Sequence, residues 1–195
     1  MARRIVIIQG HPDRQEARFV RVLADIYARS AVTAGHDVKV IDVARLEFPW
    51  LRSKQEWESG APTDAIRAAQ ETISWAEHVV IFFPLWLGTM PALLKAFFEQ
   101  VFRPGFAVAT AGGGKTWKKL LSGKSARIVV TMGMPALIYR WYFGAHGLKS
   151  LERNILGFCG IGPIRETLIG LIEAKDASKR EKSLAQMRAF GREGR

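Results

Sequence analysis

Hydrophobic positions along the chain alternate between short continuous apolar runs and stretches in which apolar residues recur every three or four positions. The first run, Arg4-Ile5-Val6-Ile7-Ile8-Gln9, is largely β-branched and predicts a buried strand. Phe19, Val22, Leu23, Ile26 and Tyr27 then fall at helical spacing, which predicts a helix over roughly residues 15–34, closed by Gly35. Residues 38–42 predict a second strand. A long connection follows, carrying Pro49, Trp50, Trp57, Gly60 and Pro62, and Thr63-Asp64 caps a helix that ends near Trp75. Residues 79–83 form a third apolar run. A helix starts at Pro91, with Leu93, Leu94, Phe97, Phe98, Val101 and Phe102 on its core face. After a glycine-rich excursion, residues 126–131 predict a fourth strand, 147–156 a helix, 163–169 a fifth strand, and the remainder a C-terminal helix.

Strands that alternate with helices and are apolar throughout predict a parallel sheet covered on both faces. Right-handed crossovers then give an α/β, three-layer doubly wound fold with a five-stranded parallel sheet of order 2-1-3-4-5, the flavodoxin-like arrangement. The 195 residues suit a single domain, 1–195, ending in a short flexible tail, 191–195. A hydrophobic content of 48% excludes a disordered chain. The four-residue apolar run after Met1-Ala2-Arg3-Arg4 is too short for a secretory signal core. The longer run from Val79 has about the length of a membrane span, but Pro84, Gly88, Pro91 and Lys95 interrupt it. A cytoplasmic location is the expectation. Cys159 is the one cysteine, so no internal disulfide forms, and its apolar neighbours predict a core thiol. With His11, His36, His78 and His146 scattered and no acidic cluster, no metal site is expected.

Charge refines this picture. Residues 1–100 balance at twelve basic and twelve acidic side chains, whereas 101–195 hold seventeen against six, which accounts for the net +11. Such asymmetry suits nucleic acid, an acidic membrane surface or a phosphorylated ligand. No zinc-finger spacing or RNA-recognition signature accompanies it, so nucleic acid is not expected as a partner. The stretch 175–195, with Leu184, Met187 and Phe190 among charges, predicts a solvated terminal helix.

In the predicted topology three loops meet at the switch point between the first and third strands. The loop from Gly10 to Phe19 leads into a helix N-terminus, where free amides and the helix dipole favour an anion. His11 and Arg18 are candidate phosphate donors there, although His11 beside Pro12 also reads as a simple turn residue. In the second loop, Leu85-Trp86-Leu87-Gly88-Thr89-Met90, Trp86 and Leu87 are large apolar groups where solvent favours polar ones. They read either as core packing or as the wall of a flat ligand. The third loop, Thr131-Met132-Gly133-Met134-Pro135, has a glycine that lets the main chain approach such a ligand. Tyr139, Trp141, Tyr142 and Phe143 then crowd a long loop, suggesting a ligand wall or a subunit interface. Gly114-Lys115-Thr116 and Gly123-Lys124-Ser125 end like phosphate-binding loops, but neither has the leading glycine nor follows a strand, and no GxGxxG fingerprint is present.

The segment FPLWLGTMPALLKAFFEQVFRPGFA, together with TMGMP, GAHG and FCGI, resembles the NAD(P)H:quinone oxidoreductase family, the DT-diaphorase-like flavodoxin-fold flavoenzymes. The likeness covers roughly residues 4–170. It implies non-covalently bound FAD or FMN, with NAD(P)H as co-substrate. Phosphate would be held by His11 and the start of the first helix, around Arg18 and Phe19. Leu85, Trp86, Leu87 and Gly88 would line one edge of the isoalloxazine, and Thr131, Met132, Gly133 and Met134 another. Tyr139 and His146 would be the catalytic pair that stabilises charge on the reduced ring. The chain departs from the family in having its tryptophan one place earlier, methionines at 132 and 134, and one extra residue between Tyr139 and His146.

The resemblance thus implies a flavoenzyme that carries hydride from NAD(P)H to a quinone-like acceptor by ping-pong turnover, and the apolar slot at a loop-rich rim suggests a homodimer in which residues 136–145 close the partner's site. The other reading is a flavodoxin-fold accessory subunit of a potassium-efflux-type membrane system, with little turnover and peripheral membrane association. A simple flavodoxin carrier fits less well, because such carriers dock through acidic surfaces and this chain has a pI of about 10.2. A receiver domain would need an aspartate where Pro84 stands.

Overall fold

The computed structural model describes residues 1–111, 116–173 and 176–195. Gly114 and Lys115 of the first phosphate-loop-like tripeptide, and Lys175, lie outside the described residues. The chain runs β1 (Arg4–Gln9), α1 (Phe19–Thr33), β2 (Asp37–Asp42), a 3-10 turn (Val43–Arg45), α2 (Lys54–Ser59), α3 (Asp64–Trp75), β3 (His78–Pro84) and α4 (Ala92–Val101). It continues through β4 (Val108–Ala111), β5 (Thr116–Lys119), β6 (Ser125–Thr131), α5 (Ala136–Trp141), α6 (His146–Lys149), a π-helical stretch (Ser150–Leu156), α7 (Gly157–Cys159), β7 (Ile164–Ile169) and α8 (Ala177–Glu193).

The order β2-β1-β3-β6-β7, parallel at every pairing, is 2-1-3-4-5 for the main sheet. All seven residues of the central β3 are buried, as a strand covered on both faces requires. Ile5, Ile7, Val80, Phe82 and Val129 meet α1 and Met187 of α8 on one face. On the other face Val6, Ile8, Ile81 and Ile128 pack with Ile66 and Ile73 of α3 and Leu94, Phe97 and Phe98 of α4. The caps follow sequence chemistry. Thr63 Oγ1 accepts the Ile66 N–H at the start of α3. Gly35, at φ 85°, closes α1 with His36 N bonded to Ala31 O at 3.0 Å and Gly35 N to Val32 O at 2.9 Å.

Several elements differ from the sequence reading, among them α2, which lies in the stretch expected as a connection. Helix α1 starts at Phe19 rather than near residue 15, because the preceding loop spends its polar groups on itself: His11 Nδ1 accepts from Asp13 N, and Asp13 Oδ1 accepts from Gln15 N. Within the stretch read as a glycine-rich excursion, β4 and β5 pair antiparallel. Part of the aromatic stretch after Pro135 is the short helix α5 rather than loop. Finally, α8 is not a merely solvated helix. Ser183, Met187 and Gly191 are buried, and a Cβ on Gly191 would lie 2.4 Å from Tyr27 O. Residues 191–193 of the expected tail are helical, and Arg3 Nη1 donates to Gly194 O at 2.7 Å.

Candidate active site

At the C-terminal end of β1 the chain passes through Gly10, whose N–H donates to Phe82 O at 2.7 Å. A Cβ here would lie 2.5 Å from Leu94 Cδ2, so only glycine lets the loop leave the sheet this close to α4. His11 is 8% exposed and its Nδ1 accepts the Asp13 N–H at 3.0 Å. Burial, with Arg21 nearby, holds its pKa below the ordinary imidazole value. The neutral ring therefore carries its proton on Nε2, as a donor. Arg21 is buried at 1% exposure although it sits among apolar neighbours. It donates to both carboxylate oxygens of Asp42 at 2.8 and 2.9 Å and, through Nε, to Asp13 O at 2.8 Å. Burial works against the Asp42 carboxylate, but Arg21 and Arg45 hold its pKa below the usual range. This network anchors the loop to β2. Arg18, the N-cap of α1, makes no side-chain cap and is bound instead to Asp13, at 2.8 and 2.5 Å.

The second loop is a two-residue turn. Trp86 and Thr89 exchange backbone hydrogen bonds at 2.9 and 3.0 Å around Leu87 at φ 47° and Gly88 at φ 80°. A leucine in left-handed geometry costs about 1–2 kcal/mol, and this one is also fully exposed. Strain combined with exposure of an apolar group marks a segment kept for something other than folding. Trp86 is 48% exposed and meets the His11 ring edge-on, with centroids 6.0 Å apart. Leu85 is partly buried, and its N–H donates to Thr131 O at 2.7 Å, joining the second loop to the third.

In the third loop the side chains of Thr131 and Met132 are buried; Met132 belongs to the core, and its N–H and C=O are taken by Ile169 and Ile172. Met134 is partly buried against the same core. Gly133 is exposed, and a Cβ there would meet nothing within 4 Å. Tyr139 is 1% exposed. Its hydroxyl donates to Gly88 O at 3.1 Å and accepts the Leu148 N–H at 3.2 Å, leaving no hydrogen for an outside acceptor. His146 is exposed on α6. The structure thus makes Tyr139 a clamp on the Trp86–Thr89 turn rather than one half of a pair open to a ligand.

Together the loops border a cleft of about 490 Å³ lined by His11, Arg18, Phe19, Pro84, Trp86 and Thr131. Its far wall is one that sequence reasoning missed: Ile172, Glu173, Arg180 and Leu184, from the start of α8 and the turn before it. The apolar spacing of Leu184 and Met187 is the signal that places α8 against the body, but it does not say which edge it reaches. The Arg180 guanidinium lies 5.6 Å from the Phe19 ring centroid. Leu87 and Met132 do not line this cleft. Leu87 borders a neighbouring hollow of about 450 Å³, with Trp86, Met90, Pro91, Ala92 and Ile155. Among the described residues no cluster of three His, Cys, Asp or Glu is placed to hold a metal ion. Cys159 is buried, which pushes its thiol up to about 11.

The cleft, with its mixed cationic and aromatic lining, lies at the switch point of a 2-1-3-4-5 sheet, where open α/β folds have their ligand crevice. Residues 3–190 match the model of the family described as having a flavodoxin-like fold, and the chain belongs to that family, within the NAD(P)H:quinone oxidoreductase group whose motifs it carries. An uncharacterized NAD(P)H oxidoreductase of Haemophilus influenzae is 26% identical over 188 residues, covering 94% of this chain and 91% of its own. A ribosyldihydronicotinamide dehydrogenase-like protein of Penicillium crustosum is 26% identical over 178 residues, 78% of this chain; the match spans 64% of that longer relative. The solved NAD(P)H:quinone oxidoreductase of Methanothermobacter marburgensis superposes with a TM-score of 0.79 at 24% identity, covering 98% of this chain and 96% of its own, a likeness of fold.

Proposed function

We propose that the cleft holds a flavin, FMN or FAD, non-covalently, and that the protein carries hydride from NAD(P)H to a quinone-like acceptor in two alternating half-reactions. The observation that carries this reading is the cationic end of the cleft. A buried, neutral His11 with a donor Nε2–H stands beside the N-terminus of a fifteen-residue helix that has no side-chain cap, with Arg18 in the same wall and Arg180 in the wall opposite. Gly133, open to 4 Å, and the half-exposed Trp86 suit the flat ring. A similar FMN-dependent NADH:quinone oxidoreductase of Burkholderia lata, 25% identical over 142 residues, supports the choice of cofactor.

When bound, the flavin supplies reversible hydride acceptance. His11 and the first turn of α1 would hold phosphate, and the Gly133 main chain would approach the ring where negative charge develops. Tyr139 would act as a positioning residue, holding the Trp86–Thr89 turn at the ring edge, and proton handling falls to His146. The apolar hollow beside Trp86 and Leu87 suits the quinone-like acceptor. Leu137, Trp141 and Tyr142 are 70%, 78% and 82% exposed, a patch that a second copy of the chain would cover in a homodimer closing the cleft. Among the described residues no helix is long and apolar enough to cross a membrane. The proposal sets the protein in the cytoplasm with its NAD(P)H supply.

The test is a visible spectrum of protein purified with FMN or FAD, followed by addition of NADH or NADPH. Flavin bands bleached by the nucleotide and restored by quinone support the reading; a protein that takes up neither flavin in equilibrium dialysis defeats it. His11→Asn should lower flavin content. A second reading, an accessory subunit of a membrane transport system, draws on 27% identity over 140 residues to a glutathione-regulated potassium-efflux ancillary protein of Shigella dysenteriae. Flavin binding with no quinone turnover would favour it.

A further inference from the structure

At the other end of the sheet, where β3, β6 and β7 begin, a separate hollow of about 410 Å³ is lined by Arg3, His78, Ser125, Arg165, Glu193 and Arg195, among others. The register pairs His78 with Ser125 and Arg127 with Arg165, and parallel partners share a face. All four therefore project on the side covered by α1 and α8, and α8 ends over them.

Charge in this corner is unbalanced. Glu193, the one carboxylate in the lining among the described residues, is bound to Arg195. Arg3 places its guanidinium on Gly194 O at 2.7 Å and Ser125 Oγ at 3.3 Å. Arg165 makes no ion pair among the described residues. Arg127, just above, is 3% exposed, bonds Thr167 Oγ1 at 2.8 Å and lies over the Phe190 ring, and its Nε has no partner. A buried guanidinium without a carboxylate is expensive, and burial draws its pKa down to about 10.

The second unsatisfied group is more specific. His78, 3% exposed, meets Ser125 Oγ through Nδ1 at 2.8 Å, and its Nε2 is buried without a partner. Ser125 Oγ accepts from Arg3 at 3.3 Å and has its own hydrogen to give to Nδ1; in that tautomer the ring proton is on Nε2. That tautomer leaves an orphan N–H, out of solvent contact, on a residue that lines a cationic hollow, an arrangement native proteins seldom leave uncompensated.

We propose that this hollow is an anion site for the dianionic head of a phosphomonoester, with Arg3, Arg165 and Arg195 supplying charge and His78 Nε2–H the buried donor. Guanidinium forks and a single N–H converging from different elements match a tetrahedral oxyanion, and the volume leaves room for the rest of the ligand. The site stands apart from the cleft and does not depend on the flavin reading.

The experiment is calorimetric titration of the whole protein with inorganic phosphate and, separately, succinate, in sodium chloride at fixed ionic strength. It compares the parent chain, Arg165→Gln and His11→Asn, and follows the His78 imidazole nitrogens by NMR. Saturable phosphate binding that shifts the His78 resonance is expected. It should persist in His11→Asn and weaken about tenfold or more in Arg165→Gln, the worth of one charge-assisted hydrogen bond. Arg165 is exposed, so its replacement leaves the fold intact. The proposal is overturned by no saturable phosphate binding, by binding lost in His11→Asn but unchanged in Arg165→Gln, or by succinate binding as tightly as phosphate.

Discussion

Replacing Tyr139 by phenylalanine removes one oxygen atom from the interior. That oxygen joins two segments: it donates to Gly88 O at 3.1 Å and accepts from Leu148 N at 3.2 Å. The two partners are not equivalent. Gly88 lies on an exposed turn, so its carbonyl can turn to water, whereas the Leu148 N–H is in the first turn of α6 with its residue 2% exposed. Losing the hydroxyl therefore strands one buried donor, at a cost of about 1–3 kcal/mol. The loss of a helix cap gives a similar figure, about 1 kcal/mol. For a domain of this size each kcal/mol moves the melting temperature by about 2–4 °C, so Tyr139→Phe should melt roughly 2–12 °C lower. Scanning calorimetry, with a urea titration to verify an unchanged m value, measures the effect. In stopped-flow, flavin reduction in this variant should slow no more than a loosened Trp86–Thr89 turn explains, and flavin content should fall with it. A melting temperature within about 1 °C of the parent, together with sharply slower hydride transfer at full flavin content, would refute the clamp. It would restore Tyr139 as a direct partner of the ring.

Gly147→Ala should be more damaging, because the added Cβ would lie 2.3 Å from Gly88 O and 2.7 Å from Thr89 Cα; overpacking of this kind costs about 1–3 kcal/mol, read by the same calorimetry, and flavin affinity should drop with it. Leu87→Asn should stabilise the fold by about 0.5–1 kcal/mol, since an Asn-Gly pair suits the left-handed turn, while reducing quinone turnover if the apolar tip serves the acceptor. Acid sensitivity should trace partly to His78. Burial first, and then Arg3 and Arg127, pull its folded pKa to about 3. A depressed folded pKa means that the unfolded chain takes up the proton first. The contribution is whole above the unfolded value of about 6.5 and is lost, by about 1.4 kcal/mol per pH unit, as the pH falls toward the folded value. Between pH 6 and 4 the parent should lose about 2–3 kcal/mol more than His78→Phe, by denaturant midpoints in chloride buffers; parallel curves would show that His78 does not titrate this way.

Much of the architecture was legible from local pattern. Apolar runs at 4–9, 79–83 and 126–131 are strands because β-branched side chains buried on both faces suit a central parallel sheet, and the structure adds a residue or so at the ends of β3 and β6. Thr63 and Gly35 cap their helices through bonds that depend only on neighbouring residues. The start of α1 was less legible. The pattern allowed helix from about residue 15, but His11 and Asp13 trap the loop in turns that compete with it. The sequence also pointed to His11, Trp86, Thr131 and Gly133 as one neighbourhood, because strand C-termini at a switch point converge.

By itself, then, the sequence determined the order of strands and helices, the location of the cleft and the family to which the chain belongs, since these follow from periodicity, turn chemistry and short motifs. The tertiary structure alone decided what each side chain near the cleft is free to do. Tyr139 lost its open hydroxyl to Gly88 and Leu148, Met132 went into the core, and Leu87 turned outward on a strained turn. It also brought Arg180 of α8 to the cleft and, at the far end of the sheet, left His78 Nε2 without a hydrogen-bond partner and Arg127 without a paired carboxylate among the described residues. Hydrogen-bond saturation and charge balance are properties of groups distant in the chain, so they exist only once the backbone has brought those groups together.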